Sequence, residues 1–149
     1  MMVGVTGDQV THQQLAEAYL GALGRADLPA LLGLFSEGAL VHSPLYGPTP
    51  ATDFYPALFS ETAESRLTLR GVTHGTMADG TALVSIWFHF DWRLPSGRKA
   101  PFDVVDVLEL ANDGRIAGLH IVYDTAEVRP TFEQETGRLS WREDGHTGH

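Results

Sequence analysis

Residues 101–124, PFDVVDVLELANDGRIAGLHIVYD, constrain the fold more tightly than any other stretch. Two alternating apolar runs flank Ala111-Asn112-Asp113-Gly114, and Asn, Asp and Gly tolerate the left-handed angles of a tight connection, so the stretch predicts a β-hairpin. Successive side chains on a strand point to opposite faces. Val104, Asp106, Leu108 and Leu110 therefore share one face, and Asp103, Val105, Val107 and Glu109 share the other. Asp106 falls on the more apolar side. An ionised carboxylate there loses hydration, so it must be paired, hydrogen-bonded or kept protonated with a raised pKa. Asp106 is thus the first candidate for chemistry, and the competing reading is a buried aspartate bonded to nearby backbone.

Upstream, the pattern is helical before it becomes extended. Residues 1–9 carry little apolar content and read as a flexible lead-in. Thr11 with Gln14 forms a capping box, and Val10 with Leu15 a hydrophobic staple, for a helix whose buried stripe is Leu15, Ala18, Tyr19, Ala22 and Leu23. Tyr19 lies inside that stripe, so its hydroxyl needs a partner in the core or at a cavity wall. Asp27 caps a second helix burying Leu28, Leu31, Leu32 and Phe35, which Gly38 ends. Residues 40–42 read as a brief strand. Residues 43–50, SPLYGPTP, read as a stiff loop without regular structure. A third helix from Thr52 or Asp53 carries Phe54, Ala57, Leu58 and Phe59, with Pro56 in its first turn.

After Glu64 the period falls to two. Strands are predicted over 66–76 and 83–93, followed by the hairpin. On the second of these, Val84, Ile86, Phe88, Phe90 and Trp92 make one face and Ser85, Trp87, His89 and Asp91 the other. Both faces carry bulky apolar groups, which predicts helices on one side and a partner subunit on the other. The reading is an α+β chain with three helices on the concave side of a curved, mostly antiparallel sheet that encloses a cone-shaped pocket. One domain spans residues 10–130, and residues 131–149 form a polar tail.

Composition excludes several function classes. A net charge of −9, with only ten Lys and Arg scattered along the chain, offers no basic stripe for nucleic acid or anionic membrane. The chain has no cysteine, hence no disulfide, thiolate nucleophile or cysteine metal site. A cytoplasmic location is expected, with no leader and no apolar run long enough to span a membrane. Of the seven histidines, His12, His146 and His149 read as surface or tail residues. His42, His74, His89 and His120 fall on strands without metal-ligand spacing, so no metal is expected.

The segments YLGALGRADLPALLGLF (19–35), LVHSP (40–44) and VDVLELANDGRI (105–116) resemble the nuclear-transport-factor-2-like superfamily, in particular its polyketide-cyclase-like and ketosteroid-isomerase-like members. The resemblance covers residues 10–129 and implies a cofactor-free small-molecule enzyme. Ketosteroid isomerases pair a Tyr on the first helix with a protonated Asp on a late strand, and Tyr19 and Asp106 fall at those places. Their general base, an Asp before a Pro, falls at Ser43, which is too weak a base for that route. In limonene-epoxide-hydrolase-like and polyketide-cyclase-like enzymes an Asp ends the last strand, and Tyr123-Asp124 resembles that ending, although strand parity turns Asp124 away from the apolar face. Scytalone-dehydratase-like members use two pocket histidines, for which His74 and His89 are the counterparts.

The resulting expectation is acid–base chemistry on an apolar oxygenated small molecule. Asp106 and Tyr19 serve an oxygen, with His42, His89 or Asp124 as base. Ser43, Tyr46, Phe54, Phe59, Trp87 and Tyr123 line the substrate site, and the chain forms a homodimer through its sheet. Two rivals remain open: a non-catalytic binding or assembly module with the same cavity, and a dehydratase using pocket histidines.

Overall fold

The computed structural model describes residues 3–142, with side chains from His12. The chain runs α1 (Val3–Gly24), α2 (Leu28–Leu32), β1 (Phe35–Ser43), β2 (Gly47–Pro50), α3 (Ala51–Ser60), β3 (Glu64–Thr76), β4 (Ala82–Arg93), β5 (Phe102–Leu110), β6 (Ile116–Val122) and α4 (Val128–Thr136). The strands form one sheet in the order β2-β1-β6-β5-β4-β3. Every pairing is antiparallel except β1 with β6, which is parallel. Bulges in β1, β3 and β6 interrupt the ladders, and such bulges bend a sheet.

The alternation read from the sequence decides which face is covered. Val84, Ile86, Phe88, Phe90 and Trp92 are all buried, whereas Trp87 on the opposite face keeps 49% of its surface exposed. On the inner face Ala16, Tyr19 and Leu23 of α1, Leu31 of α2 and Phe54 and Tyr55 of α3 complete the core. Each such large side chain taken from water contributes ~1.5–3 kcal/mol. The Trp92 indole N–H, buried in that layer, donates to Thr62 Oγ1 at 2.8 Å. The hairpin turn needs its glycine, because Gly114 has φ +86°.

Several expectations fail for physical reasons. α1 starts at Val3, so residues 3–9 are helical and Thr11 lies inside the helix and cannot cap it. The side chains of Val10 and Thr11, and the proposed staple, lie outside the described residues. Asp27 does cap α2, its Oδ1 accepting from Ala30 N at 3.2 Å. That helix stops at Leu32, however, and Phe35 opens β1, where the backbone pairs with β6. Pro56 sits inside α3 and past its first turn. Residues 47–50, expected to be irregular, pair with β1 as an edge strand, where a proline can face away from the ladder.

The largest miss is C-terminal. Residues 131–142, expected as part of a polar tail, form the end of α4 and a strap. Val128 and Phe132 anchor the helix in the core, and Gly137 ends it with φ +72°. Glu133 Oε2 then accepts from Ser140 N at 2.8 Å, Ser140 Oγ at 2.7 Å and Arg142 Nη1 at 3.0 Å. Trp141 lies so close to Gly47 that a Cβ there would come within 2.7 Å of its ring. Residues 143–149, including His146 and His149, lie outside the described residues.

Candidate active site

The inner face of the sheet and the helices leave an apolar cavity whose polar end is built by three elements. α1 supplies Tyr19, α3 supplies Tyr55 and β5 supplies Asp106. Sheet register places Asp106 between Ile86 on β4 and Ile121 on β6, so its neighbours across the strands offer no polar partner. The partner comes from the helix layer. Tyr19 Oη donates to Asp106 Oδ2 at 3.1 Å and lies 2.8 Å from Tyr55 Oη. With the Tyr19 proton committed to the carboxylate, Tyr55 is the donor in the second bond, which gives a chain Tyr55 to Tyr19 to Asp106.

Asp106 is 1% exposed, and its Oδ1 is buried without a hydrogen-bond partner among the described residues. Burial pushes its carboxyl up to about 7, and the Tyr19 hydrogen bond holds the shift down. The Tyr19 and Tyr55 phenols are raised well above their ordinary value, first by burial and then by the neighbouring Asp106. Asp106 is therefore a carboxyl near half-titration at neutral pH, with one oxygen held and the other free.

The rest of the wall is apolar or already bonded. Phe54, Phe88, Phe90 and Val104 supply apolar surface. Ser43 Oγ, 3.1 Å from Leu45 N and 3.2 Å from Tyr46 N, accepts from both. Its lone pairs are used and only its O–H is left to give, so it is a donor and not a base. Tyr46 lines the cavity with its ring, but its hydroxyl donates to Glu61 Oε1 at 2.5 Å, and Glu61 in turn is held by Arg138 at 2.9 Å. Burial and Glu61 raise the Tyr46 phenol. Tyr123 stacks on Phe102 with centroids 4.2 Å apart and also lines the cavity, and burial raises its phenol too.

The other sequence candidates do not reach the cavity. Trp87 and His89 lie on the outer face, where His89 Nδ1 is 2.9 Å from Asp103 Oδ1 and Arg70 stands over the Trp87 ring at 5.8 Å. His42, one residue before Ser43, also points outward and stacks flat on His120 with centroids 4.4 Å apart. Burial, then the neighbouring His120, lowers the His42 imidazole. Asp124 follows the end of β6, is exposed, and accepts from Ala126 N at 2.9 Å as a turn residue. Phe59 packs against Tyr55 with centroids 6.3 Å apart and is outside the cavity lining. His74 lies against His12 with centroids 4.7 Å apart and rings tilted, and among the described residues no histidine lines the cavity. Nor do three or more His, Asp or Glu side chains converge there as a metal cluster among the described residues.

Sequence reading missed Tyr55. The signal was present, since Ala51, Tyr55 and Leu58 follow helical spacing and all three are buried, but Phe54 and Phe59 drew the stripe elsewhere. Among the described residues no helix is long and apolar enough to cross a membrane.

An α+β cone with helices over an open mixed sheet, and a carboxyl–phenol pair at the end of an apolar cavity, defines a class of small pocket proteins. Residues 16–119 match the SnoaL-like domain family, and the chain belongs to it. In structure it is similar to an NTF2-like protein of unknown function from Burkholderia pseudomallei, with TM-score 0.68 at 20% identity over 80% of this chain and 95% of that one. It is also similar to SalBIII, described as an epoxide hydrolase/cyclase-like enzyme in pyran ring formation of the polyether salinomycin (TM-score 0.64, 16% identity, 80% and 95% covered). A ketosteroid isomerase-like protein from Erwinia carotovora gives TM-score 0.60 at 17% identity, over 76% of this chain and 94% of that one. No functionally curated protein matches the chain in sequence.

Proposed function

We propose that the cavity is a cofactor-independent acid–base active site in which Asp106 is both base and acid. The substrate is an apolar oxygenated small molecule, and the reaction an isomerisation, cyclisation or epoxide opening. The observation that carries this is the free Asp106 Oδ1 opposite the Tyr19-bound Oδ2. The carboxylate takes a proton from substrate carbon or hydroxyl at Oδ1, Tyr19 steadies the charge at Oδ2, and the acid returns the proton to an oxygen or carbon of the same molecule. A single group suffices because the proton is returned, and a carboxyl near pH 7 is well matched to both directions. Since His42, His89 and Asp124 stand away from the cavity, no separate base is invoked. The cyclase and isomerase labels of the structural neighbours support the same chemistry.

A second reading, a binding module without turnover, draws on the small cavity volume of about 40 Å³. Incubating the protein in D₂O with a panel of apolar ketones separates the two. Asp106-dependent deuterium uptake next to the carbonyl, read by mass spectrometry, is expected. Uptake that is unchanged in Asp106→Asn sinks the acid–base reading. The exposed outer-face residues Leu40, Trp87 and Val122 support a homodimer packed through the sheet, since a patch of that kind is rarely left bare.

A further inference from the structure

The cavity volume of about 40 Å³ is well below the ~150 Å³ of a cavity that admits benzene. A ligand with an apolar body therefore reaches in with one end only. The remainder has a place, because a groove of about 580 Å³ lies outside and shares Ser43, Ile121 and Tyr123 with the cavity wall.

Arg129, half-buried at the start of α4, lines this groove. Its Nη1 donates to Ser140 Oγ at 2.5 Å and Trp141 O at 2.7 Å, and its Nη2 to Pro44 O at 3.1 Å. All three acceptors are neutral, and among the described residues no carboxylate is within ion-pair distance of it. Glu133, which shares Ser140 with Arg129, is already engaged by Ser140 and Arg142. A guanidinium has five N–H donors, so the Nε–H and one Nη2–H stay open on adjacent nitrogens. That pair suits a carboxylate bridging both. The three bonds hold the guanidinium in place beforehand, so binding costs little ordering.

We infer that the groove is a carboxylate subsite, and that the ligand is an apolar molecule with an oxygenated end at Asp106 and a carboxylate at Arg129. This rests on the acid–base reading of the cavity for its first half only.

Calorimetric titration of the full chain with medium-chain keto acids, each beside its methyl ester, tests it. The best-fitting acid should bind about tenfold more tightly than its ester, as a charged hydrogen bond gives, and the margin should shrink as salt rises. Arg129→Gln should erase the margin, and Ser140→Ala, which cuts one clamp contact but keeps the charge, should retain it. Equal binding of acid and ester by the parent at low salt, no binding of any acid, or an acid preference that survives Arg129→Gln overturns the subsite. The salt series decides the matter even if Arg129→Gln fails to fold. Asp106→Ala separates the two halves. If acid and ester bind equally and both weaken in that variant, only the carboxylate subsite falls. If the acid preference follows Arg129 while Asp106→Ala changes neither affinity, the Asp106 reading falls and the subsite stands.

Discussion

Asp103 and Asp106 stand on the same strand, three residues apart, and β5 sends them to opposite faces of the sheet. Asp103 is exposed and sits against His89 and Arg70, whose hydrogen bonds hold its carboxyl below the ordinary range. Asp106 is buried among apolar strands with a phenol as its one partner, and its carboxyl rises to about 7. Identical side chains thus become a surface anion and a buried carboxyl pushed up to about 7. The difference lies in hydration and in the charge of the partner, not in the residue.

The comparison breaks most visibly at Asp106. Asp106→Ala and Asp106→Asn should each lower turnover by about 10³-fold, the range for a lost acid–base group, while Asp103→Asn should stay within about twofold of the parent. Should Asn keep most of the activity while Ala loses it, Asp106 is a hydrogen-bond donor and the base must be sought elsewhere.

Stability against pH gives the next largest contrast. The folded value of about 7 for Asp106 lies above the ~4 of an unfolded aspartate, so between them the folded chain holds the extra proton. Its stabilising contribution is complete below pH ~4 and is lost as the pH climbs towards 7, a change of a few kcal/mol. Asp106→Asn should remove that slope and melt higher than the parent above pH 7. Matching melting curves for the two proteins across pH 4 to 8 would show that Asp106 titrates as if it were in water.

A smaller effect is expected from the phenols. Tyr19→Phe removes the hydrogen bond that restrains the Asp106 shift, so kcat should fall about tenfold and the rising limb of the pH–rate profile should move to higher pH. Tyr55→Phe, one bond further away, should do the same more weakly. A loss of kcat in Tyr19→Phe with no movement of the profile would make Tyr19 a substrate donor and not a tuner of Asp106.

On the outer face the expected effect is on assembly alone. Val122→Glu should convert a sedimenting dimer to a monomer, and a parent that is already monomeric at micromolar concentration ends the dimer expectation. His89→Gln should leave turnover within about twofold.

Strand alternation makes most of the inner face legible in the sequence. The period-two pattern places Asp106 and the Val84-to-Trp92 face inward, and the helical stripe places Tyr19. The pattern cannot say that β1 runs from Phe35, because Gly38 between two apolar runs reads equally as a helix end and as a bulge. It likewise misses α4, whose anchors are only Val128 and Phe132 amid polar residues. His42 and His89 draw attention because imidazole is a common acid–base group, yet parity alone puts His89 opposite Phe88 and Phe90. Asp124 fails on the same ground, since parity points it outward and the β6 bulge, at Ala117, lies well upstream of it.

The parallel pairing of β1 with β6 sets Val41 against Leu119, although most of the chain is made between them. A chain leaving the ribosome can close β3, β4 and β5 as a meander of neighbours while β1 and β2 wait with an open edge. Only when β6 arrives can it slot between β5 and β1. Long-range closure of this kind is slow, and the waiting edge is a template for mispairing with other chains. Asp106 would then acquire its full apolar surround, and with it its raised pKa, as one of the last acts of folding.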